Sequence, residues 1–128
     1  MSSKKYNIFL DDVRHPHQVT WVDLPQKPYS LVRNYQEFVD LITIRGIPEF
    51  IAYDHDLSDS HYGDGLHGDE INYNKYKEKT GYDCAKWLVN ECMKRGVKHP
   101  PYMVHSMNPI GKQNIINYVE SYNRSIKD

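Results

Sequence analysis

Phe50-Ile51-Ala52-Tyr53-Asp54-His55-Asp56-Leu57 is the stretch that decides how this chain is read. A short apolar run, introduced by Pro48-Glu49, passes directly into acid, histidine and acid. Continuous apolar runs of this length suit a strand buried on both faces, as in a parallel sheet. A solvated turn can end a strand this way. So can a metal site or a site that handles phosphate, and the rest of the chain has to separate them.

Working outward, three more runs have the same character. Tyr6-Asn7-Ile8-Phe9-Leu10 ends at Asp11-Asp12, Tyr29-Ser30-Leu31-Val32-Arg33 is a second strand candidate, and Pro101-Tyr102-Met103-Val104 ends at His105-Ser106. Helix signals lie between them. Asn34 with Glu37 forms a capping-box pattern ahead of Phe38, Leu41 and Ile42, and Gly46 can close that helix. Thr80 with Asp83 repeats the pattern before the stripe Ala85, Leu88, Val89 and Cys92, with Lys94-Arg95-Gly96 as its carboxyl end. Asn108-Pro109 is a cap and first-turn pair for a last helix carrying Ile115, Ile116, Val119 and Tyr122. Pro16, Pro25 and Pro28 argue against a long helix between the first two strands. Strand–helix alternation of this kind predicts an α/β fold with a four-stranded, mainly parallel sheet.

The totals fit one domain spanning residues 1–128, with 39% apolar residues and a net charge of −1. The near-balance of charge gives no reason to expect stable DNA binding. No stretch is apolar enough to span a membrane or to act as a signal peptide, so a cytoplasmic location is expected. Cys84 and Cys92, eight apart on one helix, are too far apart for a disulfide and read as small core residues of a reducing compartment. The eleven tyrosines are expected to line a polar cleft or coat a wet surface.

The polar residues gather on one side. In a parallel sheet the carboxyl ends of the strands share an edge, and ligands bind there. Asp11-Asp12, Asp54-His55-Asp56 and His105-Ser106 all fall at such ends, whereas the opposite ends begin with Pro48-Glu49 and His99-Pro100-Pro101. Carboxylates held this close need protons or cations between them, and a hard divalent ion such as Mg²⁺ or Mn²⁺ suits oxygen ligands. Asp11, Asp12, Asp54 and Asp56 are therefore the expected metal ligands, against the reading that Asp12 or Asp56 only shapes a turn. His55 and His105 are expected as general acid or base, His105 the more important and facing Asp54, and Ser106 as a donor to a phosphoryl oxygen. Arg14, His15 and Asn108 are the expected substrate contacts, Asn108 also being a helix cap. An EF-hand loop starting at Asp54 is excluded, because its sixth position is Asp59 rather than glycine and its twelfth is Gly65 rather than glutamate.

Residues 57–79 have no periodicity and are read as an inserted polar loop, mobile through Gly63, Gly65 and Gly68 and able to act as a lid. Its acids and histidines match no metal-ligand spacing, and Lys75 and Lys77 are within reach of an anionic substrate if the loop folds over the edge.

The four motifs IFLDDVRHP, IAYDHDL, TGYDCAKWL and VHSMNPIGKQNI, in this order, resemble the cyclic-phosphate-processing receiver-like domains. The resemblance spans nearly the whole chain and implies a receiver-like, flavodoxin-like sandwich with strand order 2-1-3-4. It implies that Asp11 and Asp12 are the acidic pair, Asp54 the central aspartate, which could also be the nucleophile, and Ser106 the hydroxyl residue. His55, Asp56, His105 and Asn108 belong to this family's own motifs. The fifth strand and lysine of signalling receivers find no counterpart here, and Lys112 falls in a helix. The implied function is a metal-dependent phosphoesterase acting on a small phosphorylated or cyclic-phosphate substrate, a nucleotide or an RNA 2′,3′-cyclic end. A non-catalytic sensor of phosphate or cyclic nucleotide is the alternative.

Overall fold

The computed structural model describes residues 6–57 and 79–126. Residues 58–78 of the proposed lid, with Gly63, Gly65, Gly68, Lys75 and Lys77, lie outside them. Strands β1 (Asn7–Leu10), β2 (Ser30–Val32), β3 (Phe50–Tyr53) and β4 (Tyr102–Val104) alternate with helices α1 (Tyr35–Arg45), α2 (Gly81–Arg95) and α3 (Pro109–Ser125). The sheet is parallel throughout, in the order β2-β1-β3-β4. This is the receiver-like arrangement expected from the sequence.

The pleat divides the side chains between two faces. Ile8, Leu10, Ile51, Tyr53 and Val104 pack with Phe38 and Ile42 of α1, Cys84, Leu88 and Val89 of α2, and Ile115 and Val119 of α3. Phe9, Phe50 and Ala52 point the other way and meet Val19, with Val22, Leu24, Tyr29 and Met103 around them. One face thus carries the helical layer and the other carries the β1–β2 connection, residues 13–29, which we call the strap. Its prolines keep it irregular apart from a single 3₁₀ turn at Pro16–Gln18. Phe38 is fully enclosed in the helical layer, and its truncation to alanine would cost about 3–5 kcal/mol.

The helix ends follow the sequence signals. Thr80 and Asp83 form a reciprocal capping box, and Gly96 closes α2 in the left-handed conformation at φ 69°. Asn34 accepts the Glu37 N–H, but the Glu37 carboxylate reaches back one residue further than expected, to the Arg33 N–H. Gly81 is dictated by contact. A Cβ there would lie 1.8 Å from the Asp54 carbonyl oxygen, and its own N–H donates to the His55 carbonyl at 2.8 Å. The amino end of α2 is thereby pressed against the backbone that leaves β3.

The tyrosines do more in the core than a cleft or wet-surface role requires. Tyr6 and Tyr122 bury their rings and give their hydroxyls to the Gly46 and Val97 carbonyls. Tyr53 is fully buried and hydrogen-bonds His99 Nε2 at 2.7 Å. Because His99 Nδ1 lies 2.6 Å from the Pro100 carbonyl, Nδ1 carries the proton and Nε2 accepts from Tyr53. Burial favours this neutral imidazole and pushes its pKa down to about 4. Cys84 and Cys92 are buried free thiols.

Candidate functional site

The site begins one residue beyond the paired strands. Leu10 aligns with Tyr53 and Tyr53 with Val104, so Asp11, Asp54 and His105 form the next row of the sheet. Backbone bonds still hold that row. The Asp11 N–H donates to the Val32 carbonyl, Asp54 to Leu10 and His105 to Tyr53, at 3.1, 3.0 and 2.8 Å. Two-residue periodicity puts all three side chains on the face of Phe9, Ala52 and Met103, beneath the strap. Their ligand-type atoms lie within 4.8 Å of one another, and all three residues are buried.

Asp11 is the best-supported member. Its Oδ1 accepts the N–H groups of Val13 and Arg14, and its Oδ2 lies 3.0 Å from His105 Nε2 and 3.4 Å from Arg14 Nη1. Burial alone would raise its pKa, but the His105 bond and the two backbone N–H groups outweigh that and bring it to about 2. Asp54 has the opposite balance. Burial, and then the neighbouring Asp11 charge, drive it up to about 7 despite the His55 N–H bonded to its Oδ1 at 2.8 Å; Asp12 adds to the rise and Arg14 opposes it. One carboxylate is therefore firmly ionised while its neighbour resists ionisation, as expected where like charges share a dry site.

His105 is held on three sides. Its ring stacks on Phe9 at 4.7 Å between centroids and 6° between planes, its Nε2 meets Asp11, and its carbonyl accepts the Trp21 indole N–H at 2.7 Å. Its Nδ1 is buried with no partner among the described residues.

A family model for the cyclic-phosphate processing receiver domain matches residues 6–121. The chain belongs to that family. No curated protein and no solved structure matches it.

Within this receiver domain the expected site residues divide into two groups by face. Asp11, Asp54 and His105 meet under the strap, with Arg14 at their edge. His55, Asp56 and Asn108 meet on the helical side. His55 Nδ1 lies 2.9 Å from Asp56 Oδ1, and Asn108 Nδ2 reaches the same carboxylate at 3.3 Å while Asn108 Oδ1 caps α3 through the Gly111 N–H at 2.9 Å. Gly111 makes room for the His55 ring, since a Cβ there would fall 2.3 Å from it. The hydrogen bond of His105 goes to Asp11 rather than Asp54, because β1 and not β3 supplies the carboxylate nearest its Nε2. Asp56 is half exposed and turned to His55, away from the Asp11–Asp54–His105 group. Asp12 is partly buried and contributes its charge to Asp54. Ser106 is buried, its Oγ accepting the Asn108 N–H at 3.1 Å. His15 is exposed and stacks on His17 at 5.9 Å.

Three supporting residues escaped the sequence reading. Phe9 was readable as strand core but not as the surface on which His105 lies flat. Arg33 donates to the Asp11 and Arg14 carbonyls at 3.1 and 2.7 Å, fixing the turn after β1. Trp21 reaches the site from the strap, and its only signal was a lone tryptophan in a segment with no helical period.

Proposed function

We propose that this receiver-family domain hydrolyses a cyclic phosphate ester, a nucleotide or an RNA 2′,3′-cyclic end, to a phosphomonoester with the help of a divalent cation. The observation that carries the reading is the buried row Asp11, Asp54 and His105, which brings two carboxylates and an imidazole within 4.8 Å of one another. The donors fit such an ion. The two carboxylates suit Mg²⁺ or Mn²⁺, and burial, then the neighbouring Asp11 charge, holds Asp54 near pKa 7 without one. Asp11 and Asp54 would hold the ion, with Asp12 alongside and Asp56 at most a more distant contributor, leaving the His105 imidazole beside them free to carry a proton. Bound there, it would polarise a phosphoryl oxygen and lower the pKa of a water.

The chain's own groups supply the rest. Arg14, partly exposed beside Asp11, is placed to take a phosphoryl oxygen. The Ser106 hydroxyl can donate to another. Water adds to phosphorus, or the Asp54 carboxylate does so first, and one ring P–O bond breaks. The departing oxygen takes a proton from His105, and the water gives up its own to solvent. His15 would contact substrate only from the rim.

The sensor reading also has an observation behind it. Asp11 and His105 are 0% exposed and Asp54 4%, so a ligand reaches the row only if Arg14 or the strap yields. Turnover separates the two. Incubation with cyclic phosphates in Mg²⁺, Mn²⁺ or chelator should release phosphomonoester only with metal, and binding without release under every metal would refute hydrolysis.

A further inference from the structure

The strap carries one feature that hydrolysis alone does not require. Trp21 is 38% exposed although its indole N–H is anchored on the His105 carbonyl at 2.7 Å. An aromatic ring whose polar atom is already satisfied, and which still meets solvent, offers an apolar π-surface of fixed orientation. The Arg14 guanidinium lies 5.0 Å from the ring centroid, and the same guanidinium is 3.4 Å from Asp11 Oδ2. One planar group thus touches both the indole and the buried carboxylate, and it leaves the indole's other face for a stacking partner. Two of the three site motifs are followed by exposed apolar side chains, Val13 after Asp11-Asp12 at 53% and Met107 after His105-Ser106 at 66%, while Leu57 after Asp54-His55-Asp56 is buried.

We propose that Trp21 is a specificity-determining residue that stacks on a nucleobase, making nucleoside 2′,3′-cyclic phosphates the substrate class of this site. The phosphate lies toward Arg14 and Asp11 and the base lies on the indole. Stacking is tolerant of base identity, since every base has a π-face and the indole N–H is already engaged. A free mononucleotide and the terminal nucleotide of an RNA present the same chemistry. This inference rests on the hydrolytic reading for its substrate but not for its binding geometry.

The test has a binding arm and a kinetic arm. The chain has two tryptophans, so Trp87→Phe leaves Trp21 as the sole indole emitter. In that background its emission should be quenched by adenosine and uridine 2′,3′-cyclic phosphate and by nucleoside 3′-monophosphates, and not by glycerol 1,2-cyclic phosphate. In the kinetic arm, kcat/KM for adenosine 2′,3′-cyclic phosphate should exceed that for glycerol 1,2-cyclic phosphate. The ratio should fall by at least about tenfold in Trp21→Leu, which keeps apolar bulk without a π-face, and be largely retained in Trp21→Phe. A short RNA ending in a cyclic phosphate, run beside the mononucleotide, shows which source the site prefers, either being consistent with stacking. Base-dependent quenching without turnover of any cyclic phosphate would overturn hydrolysis and keep the platform. Turnover with an unchanged ratio in Trp21→Leu and no base-dependent quenching would overturn the platform and keep hydrolysis.

Discussion

Replacing Asp54 by asparagine should make the metal-free protein more stable, and the gain should depend on pH. Asp54 is 4% exposed and its pKa is driven to about 7 from 3.8. A folded pKa raised above the unfolded one means that the native state loses stability as pH climbs from 3.8 to 7, because the unfolded chain gives up this proton first. At 1.36 kcal/mol per unit the full penalty above pH 7 is about 4 kcal/mol. Asparagine has nearly the same shape, and its side-chain oxygen can still accept the His55 N–H. The variant should therefore exceed the wild type by about 2–4 kcal/mol at pH 8 in chelator, with the gap shrinking below about 1 kcal/mol near pH 4. Urea denaturation across that range measures it. A variant no more stable than wild type at pH 8, or a gap that does not shrink on acidification, would refute the idea that the fold holds Asp54 against its charge. Added Mg²⁺ or Mn²⁺ should raise the midpoint of the wild type and leave the variant nearly unmoved.

Three further expectations concern residues outside that carboxylate. His105→Asn should lower kcat on a cyclic phosphate by about 10²–10⁴-fold, and His55→Asn by less, in assays from pH 5 to 9; full kcat in His105→Asn would remove the general-acid assignment. His99, whose folded pKa is depressed to about 4 from 6.5, should contribute full stability above pH 6.5 and lose about 3 kcal/mol as pH falls toward 4, a slope that denaturation of His99→Gln should lack. Gly111→Ala places a Cβ 2.3 Å from the His55 ring and should displace that ring, visible as a shifted His55 imidazole resonance, with about 1–3 kcal/mol lost; an unshifted resonance would show that α3 can retreat without cost.

Much of the fold was legible because it rests on local rules. Apolar runs too short for helices gave the strands, three of the four stopped by Asp11, Asp54 or His105. Asn34, Thr80 and Asn108 marked the helix starts, and all three accept the N–H of the third residue on. The site was legible only in part, for a reason of parity. The strand-end motifs were visible as DD, DHD and HS, but which residue of each turns to which face depends on the last paired residue of its strand. That register fixes Asp11, Asp54 and His105 under the strap and leaves His55 with Asp56 on the helical side. Trp21 and Arg33 were out of reach, because their contacts with the site span 84 and 22 residues of sequence and no local pattern announces them.

The shared row of Asp11, Asp54 and His105 makes the domain sensitive to length in an uneven way. Side chains alternate faces along a strand, so one residue inserted within β1, β3 or β4 would exchange a site residue for its neighbour. Leu10 would replace Asp11, Tyr53 would replace Asp54, or Val104 would replace His105, with the ladder otherwise intact. The same insertion in the connection between β3 and α2 shifts nothing in the row, since Gly81 is tied to the His55 carbonyl whatever lies between. Insertions and deletions among homologues should therefore collect in that connection and be purged from the three strands, even at positions where substitution is tolerated. Chain length within the strands, rather than their apolar composition, becomes the quantity under selection.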